Sequence, residues 1–367
     1  MNAEKEDIEN RKAAMHIPSK IWLLLGMIVL SVILILVYRS GFAKMGKKEV
    51  SMDTQETSYS FAMGTSVSVS LYGADKDFAA QIEQEIKKLD TDVISWRQDA
   101  SELAKMNQSY RMGETYKVSD LLYTAIVQSL NICRDSKGAL DITIRPLANV
   151  WNIENASSED FQVPTDTEIR VALKQVGYES ISCGDARTVS IDTADRILDL
   201  GAVGKGFALD IVEEILKKEA VTGATISVGG SILAYGSKPD GSCFRVGIRD
   251  PKKEAEDYIG YLELEPDSNL CISTSGDYEK YIEKDGIRYH HILDRSTGYP
   301  AESGLSSVTI VCENGLYSDA LSTACYVLGY EKSLPLLEKY HAEAVFIDKN
   351  NRVTVTDGLK EAFHTGK

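Results

Sequence analysis

No two of the six cysteines in this 367-residue chain are spaced as a C-x-x-C pair or as metal ligands. A zinc site and a disulfide framework are therefore not expected. Most of Cys133, Cys183, Cys243, Cys271, Cys312 and Cys325 read instead as small buried hydrophobes. Basic residues are also in deficit: 40 Lys and Arg stand against 55 Asp and Glu, a formal net charge of −15. That balance excludes a nucleic-acid partner, which needs clustered cations. Any anionic ligand must then rely on local help from a lysine, a helix terminus or a metal. Internal repeats and long low-complexity tracts are missing, and so are two common phosphate motifs. In the run Asp199 to Asp210, Lys205 precedes Gly206 rather than the Ser or Thr of a Walker A loop, and Gly201-Ala-Val-Gly204-Lys-Gly206 lacks the Rossmann spacing.

Hydrophobic residues make up 43% of the chain, enough for a well-buried core. Ile21 to Val37 carries no charge and is almost wholly apolar, with Tyr38 as an interfacial aromatic. The expectation is a transmembrane anchor over 21–38, preceded by a cytoplasmic segment over 1–20 and followed by a polar tether over 39–59. A cleaved signal peptide is the competing reading, but no small-x-small site follows the run. No cysteine near its end supports a lipoprotein. Lys5, Arg11, Lys12 and Lys20 before the span balance Arg39, Lys44, Lys47 and Lys48 after it, so charge alone leaves orientation open. A single domain is expected over 60–367.

Within that domain Ser58 to Leu71 alternates like a strand, broken at Met63-Gly-Thr65. Apolar spacing predicts one amphipathic helix over 78–94, a short capped helix after Ser101, and another over 119–133 that ends at Gly138. Strand-like stretches fill 180–200, 225–235 and 244–272. A last helix is expected near Ser318 and a closing hairpin over 344–355. Strands and helices alternate without a βαβ rhythm, so the class is α+β.

Three clusters carry chemistry. The glycine run around Lys205 joins a strand-like stretch to a helix-like one. Such a turn can seat a phosphate at a helix N-terminus, or be an ordinary tight turn. Ser318-Asp-Ala-Leu-Ser-Thr323 puts Asp319 and Thr323 on one helical face, where a carboxylate and a hydroxyl suit a hard cation. With Ser318 as N-cap, the helix dipole alone would also account for Asp319. In Arg288-Tyr-His-His291 one histidine of the adjacent pair can face a site, as a proton acceptor or as a structural group. Ser227-Val-Gly-Gly-Ser231 and Ser273-Thr-Ser-Gly-Asp-Tyr278 offer close backbone approach and small polar groups.

Taken in order, Met63-Gly-Thr65, Asp199 to Gly206, Ser227 to Gly230, Ser275-Gly-Asp-Tyr278, His291-Ile-Leu-Asp294 with Thr297-Gly-Tyr-Pro300, and Ser318 to Thr323 resemble the ApbE-type FAD:protein FMN transferases. The resemblance spans about Phe61 to Gly358. It implies a single mixed α/β domain in which FAD is cut at its pyrophosphate. FMN would pass to a threonine or serine hydroxyl of a partner flavoprotein, AMP would leave, and Mg²⁺ would be required. By similarity Asp319, Thr323 and the carbonyl of Ala202 would hold the metal. Met63, Trp96, Ala139, Leu140, Asp141, Asp199, Lys205 and Leu293 would contact FAD. His291, with Asp319, would activate the acceptor hydroxyl.

Trp96 departs from the tyrosine usual at its position, and a stacking role survives that change. The acceptor would carry an Asp-x-x-Ser-Gly-Ala/Thr-Thr-like motif. The family also breaks the charge tie, implying a single-pass protein of the cell membrane with its catalytic domain extracytoplasmic. Two alternatives share these residues: an FAD pyrophosphatase yielding FMN and AMP, and a tethered flavin binder without catalysis. Asp319→Ala is expected to abolish turnover while sparing the fold, as befits a first-turn helical position.

Overall fold

The structure is a computed structural model and describes residues 55–366, apart from 220 and 254–256. The expected anchor over 21–38, the segment over 1–20 and most of the tether lie outside the described residues. Among the described residues no helix is long and apolar enough to cross a membrane.

Eight strands form the main sheet: β1 (Gln55–Ala62), β2 (Thr65–Tyr72), β3 (Gly223–Val228), β4 (Ser231–Gly236), β5 (Leu270–Gly276), β6 (Leu305–Cys312), β7 (Glu343–Asp348) and β8 (Val353–Val355). Their order across the sheet is their order along the chain, and every neighbouring pair is antiparallel. Antiparallel neighbours need no crossover helix, so helices enter as excursions from a meander. The long excursion, between β2 and β3, holds α1 (Lys76–Lys88), α2 (Glu102–Ser109), α3 (Asp120–Asp135), α4 (Arg145–Trp151), α5 (Asp166–Leu173) and α6 (Gly204–Leu216). A shorter one, between β6 and β7, holds α7 (Gly315–Leu328) and α8 (Tyr330–Lys339). This is the α+β class.

Strand β6 is buried at every position, which marks a strand covered on both faces. On one face Val308 and Ile310 join Leu209, Val212, Leu316 and Ala320 of the helices in the main core. On the other, Val311 packs with Ile272, Val345 and Ile347 against Phe244, Val246 and Leu262 of a small three-stranded sheet. Cys133, Cys271, Cys312 and Cys325 are buried in the core as free thiols, while Cys183 and Cys243 are half-buried.

Three expectations need correction. The single helix over 78–94 is two pieces, because α1 ends at Lys88 and Leu89–Ile94 form a π-helical turn. The wider turn accompanies a change of aim: Asp90 Oδ2 accepts the Met63 N–H at 2.9 Å. That bond holds Met63 at φ +54°, the first of two left-handed residues in the β1–β2 hairpin turn. Second, the strand expected up to the glycine run stops at Ile191. Beyond it the amide of Asn107 donates to the Leu198 carbonyl at 2.9 Å and accepts its N–H at 3.0 Å, doing the work of a neighbouring strand. Third, the helix expected to be last, near Ser318, begins at Gly315 and is followed by α8. Its N-cap is Asn314, which accepts the Tyr317 N–H at 2.8 Å, and Ser318 lies within the helix.

Candidate active site

Helices α6 and α7 meet glycine to glycine. A Cβ on Gly206 would lie 1.9 Å from the Gly315 carbonyl oxygen, and one on Gly315 would lie 2.2 Å from that of Gly206. Only bare backbones approach so closely. The contact is clamped by Asp210, which accepts the Gly315 and Leu316 N–H groups at 2.5 and 2.9 Å. Burial pushes the Asp210 carboxyl up to about 6.

The crossing delivers Asp319 of α7 to the first turn of α6. Its Oδ2 accepts the Gly206 N–H at 3.1 Å, its Oδ1 accepts from Ser231 Oγ at 3.2 Å, and Lys205 Nζ lies 3.0 Å from Oδ1. Asp319 is therefore in the second turn of its own helix and sits in the positive field of another. Behind it run Ser231, Ser273 and Ser318, linked at 3.1 and 2.7 Å. One turn along α7, Thr323 Oγ1 stands 3.2 Å from Ser275 Oγ.

Of these groups Lys205, Ser275, Asp319 and Thr323 line a cavity of about 310 Å³. Met63, Trp96, Leu140, Asp141, Asp199 and Leu293 also line it, as do Ala202 and His291. Ala139 is outside the lining and packs on the main core. The two glycine and serine turns singled out in the sequence contribute Gly229, Gly230, Thr274, Ser275 and Gly276. Asp141 spends its oxygens on the protein: Oδ1 accepts from Thr143 N–H and Oγ at 2.8 and 2.7 Å, and Oδ2 from Arg295 at 2.6 Å. It holds the cavity wall in shape.

Sequence reasoning missed a charged frame around Trp96. Arg145 lies over the indole at 3.8 Å and Arg97 at 4.7 Å. Glu154 joins them, accepting from Arg145 at 3.2 Å, Arg97 at 3.0 Å and Lys280 at 3.1 Å. Burial alone would raise the Glu154 carboxyl, but Lys280 and Arg97 outweigh it and draw it down to about 2. Asp199 accepts from Arg145 at 3.3 Å and from the Gly201 N–H at 2.8 Å, and its burial raises its pKa. Five charged residues spread from Arg97 to Lys280 make this frame, and no local pattern announces them.

The adjacent histidines part as strand geometry requires. His290 is buried, donates Nε2–H to the Ala301 carbonyl at 3.1 Å and meets Tyr326 edge-on. His291 faces the cavity, with Nδ1 3.2 Å from the Lys280 carbonyl. That carbonyl can only accept, so Nδ1 carries the proton and Nε2 is the free base. Burial and then the Lys280 charge lower the His291 pKa to about 4.

A lysine at a helix N-terminus, a carboxylate and a neutral histidine around one pocket suit phosphoryl chemistry. The ApbE family profile matches residues 63–346 of this chain. The chain belongs to the ApbE family. It is 30% identical over 286 residues to the FAD:protein FMN transferase of Vibrio cholerae, covering 78% of this chain and 82% of that one. It is 34% identical over 280 residues to the enzyme of the same name from Treponema pallidum, covering 73% and 76%. The crystal structure of the ApbE protein of Thermotoga maritima superposes with a TM-score of 0.76 at 30% identity, over 84% of this chain and 99% of that one. The apo flavinyl transferase ApbE of Pseudomonas stutzeri gives 0.72 at 30% identity, over 86% and 98%. As an ApbE protein the chain is a transferase enzyme.

Proposed function

We propose that this ApbE protein transfers FMN from FAD to a threonine or serine hydroxyl of a partner flavoprotein, with Mg²⁺ required and AMP released. The observation that carries this reading is the convergence of Lys205, the α6 N-terminus and Asp319 in one cavity with Trp96 and His291. A pyrophosphate needs its charge neutralised more than it needs covalent help, and a lysine on a helix N-terminus does that. The Trp96 ring, backed by the Arg145 guanidinium, is a surface for a flat flavin or adenine.

Asp319, Thr323 and the Ala202 carbonyl are hard oxygen donors of the kind Mg²⁺ takes, with room for its waters in the cavity. Among the described residues no cluster of three or more His, Cys, Asp and Glu offers an alternative metal site. When bound there, Mg²⁺ supplies charge neutralisation at the phosphates. Lys205 Nζ, 3.0 Å from Asp319 Oδ1, stands where it would pair with a phosphate oxygen. In the transfer, the acceptor hydroxyl oxygen bonds to the FMN phosphorus. The bond from that phosphorus to the bridging oxygen breaks, and AMP departs with that oxygen. His291 Nε2 takes the hydroxyl proton. We place the protein in the cell membrane by its 21–38 segment, with the transferase domain outside.

The test incubates the full chain with FAD, Mg²⁺ and an acceptor bearing the threonine motif. Intact mass and in-gel flavin fluorescence follow the adduct, and AMP is measured alongside. An acceptor heavier by one FMN moiety, lost with EDTA and in Asp319→Asn, is the expected result. AMP without adduct would make the protein a pyrophosphatase. Tight FAD binding with neither product would make it a carrier.

A further inference from the structure

A second cavity, about 650 Å³, is lined by Arg249, Lys252, Lys253, Arg288 and Lys349, with Asp277 the one lining carboxylate among the described residues. Just outside the lining, Glu283 pairs with Arg288 at 3.1 Å and Asp250 with Lys253 at 3.7 Å, which leaves Arg249 and Lys252 as its unpaired cations among the described residues. In a chain of net charge −15 this is a concentrated reversal of sign. Asp277 is buried and is engaged by Lys349 and, at 4.0 Å, by Arg288, so it braces two of the cations. The guanidinium carbons of Arg249 and Arg288 lie over the Tyr278 and Tyr281 rings, 4.7 and 4.1 Å from their centroids, which holds both cations at the cavity. The Nε–H of Arg249 is buried without a hydrogen-bond partner. A buried unpartnered donor of a charged group calls for an acceptor from outside. Nearby, Asn351 donates to Asp250 at 2.7 Å while its own Oδ1 is buried and unpartnered.

The two cavities share a wall. Gly276, Glu279 and Lys280 line the first, while Asp277, Tyr278 and Tyr281 line the second. The adjacent histidines continue that division: His291 lines the first cavity, and the Asp277, Lys349 and Arg288 charges act on His290. A polypeptide lying across this wall would have one part in each cavity.

We propose that the second cavity is a docking site for an acidic segment of the acceptor protein, which selects the acceptor and holds it beside the transfer site. The assignment of the acceptor rests on the transferase reading; the anion site does not. Charge complementarity identifies the occupant: five cations and two tyrosines suit carboxylates on a peptide. An acidic protein surface otherwise repels such a partner, so the patch sets both orientation and on-rate.

The test uses a fluorescein-labelled Asp-rich octapeptide, read by anisotropy on the full chain at low and high salt. The variants are Arg249→Gln and the double substitution Lys252→Glu with Lys253→Glu, whose lysines are exposed. Binding should weaken at least tenfold in each variant and fall with salt, while FAD affinity and Tm stay within error. In transfer assays the KM for the acceptor should rise at least tenfold, with kcat and the KM for FAD within twofold. Absence of peptide binding, or an unchanged acceptor KM in variants that no longer bind the peptide, overturns the proposal. So does full displacement of the peptide by millimolar inorganic phosphate, which would assign the cavity to a free oxyanion. If the wild type binds the peptide but transfers no FMN, the transferase reading fails and the anion site stands.

Discussion

Asp319 shows how a side chain's role depends on the helix it reaches rather than the helix it sits on. The sequence suggests a first-turn carboxylate whose removal spares the fold. In the structure it is 3% exposed and accepts from Gly206, Lys205 and Ser231. Asp319→Ala leaves the Gly206 N–H and Ser231 hydroxyl unpaired, and we expect about 1–3 kcal/mol of destabilisation besides loss of transfer. Asp319→Asn should keep most of the stability and still lose activity; thermal melts and adduct assays separate the two effects. A fully active Asp319→Asn would remove this carboxylate from the chemistry.

His291 offers a second residue-scale test. Only its neutral form can accept a proton, and its pKa is lowered to about 4 by desolvation and then by the Lys280 charge. The acid limb of kcat/KM should therefore stay flat down to about pH 5 and fall only below that. An ordinary histidine would bend the profile near pH 6.5 instead. His291→Ala should lower kcat by about 10²–10⁴ while FAD affinity holds, measured by single-turnover transfer and flavin fluorescence. Loss of affinity in step with rate would make it a structural residue.

Among elements, the α6–α7 crossing is the most exacting. Gly206→Ala drives a Cβ into the Gly315 carbonyl, and neither helix can yield without moving Asp319. We expect about 2 kcal/mol or more of destabilisation, a Tm lower by roughly 5 °C, and transfer lost beyond what the stability change explains. A variant with normal melting and activity would show that the crossing is looser than it looks. The same scale explains where sequence patterns misled. Alternation cannot tell a paired strand from 192–200, whose pairing comes from one Asn107 side chain. Helical periodicity cannot see the π turn over 89–94, since it is a tertiary bond from Asp90 to Met63 that accompanies the change of aim.

For the whole molecule, pH should act through buried groups of opposite sign. His290 is 4% exposed, and burial lowers its pKa from 6.5 to about 4. Between those values the unfolded chain binds more protons, so stability falls as pH drops, by up to about 3 kcal/mol. Asp210 works the other way. Burial raises its folded pKa from 3.8 to about 6, so the native state binds more protons in that window and gains stability as pH drops. His290→Gln should flatten the loss of Tm between pH 6.5 and 4, and Asp210→Asn should steepen it. Identical slopes in both variants and the wild type would assign acid sensitivity to other groups.

Much of this protein is legible without its structure because some constraints are local. The helices after Ser101 and from Ser119, the break in the strand at Met63-Gly64 and the helix after Lys205 follow from neighbours within a few residues. The ordered motifs likewise placed the chain in its family, and nearly all the residues they named share one cavity. What the tertiary structure alone decided are the long-range pairings. Glu154 gathers Arg97, Arg145 and Lys280, and Asp319 finds a helix that begins 115 residues earlier, at Gly204. The basic cavity is assembled from strands and loops scattered over about a hundred residues, from Arg249 to Lys349. Charges attract across space and not along sequence, so a chain reads as acidic until folding sorts its cations into one place.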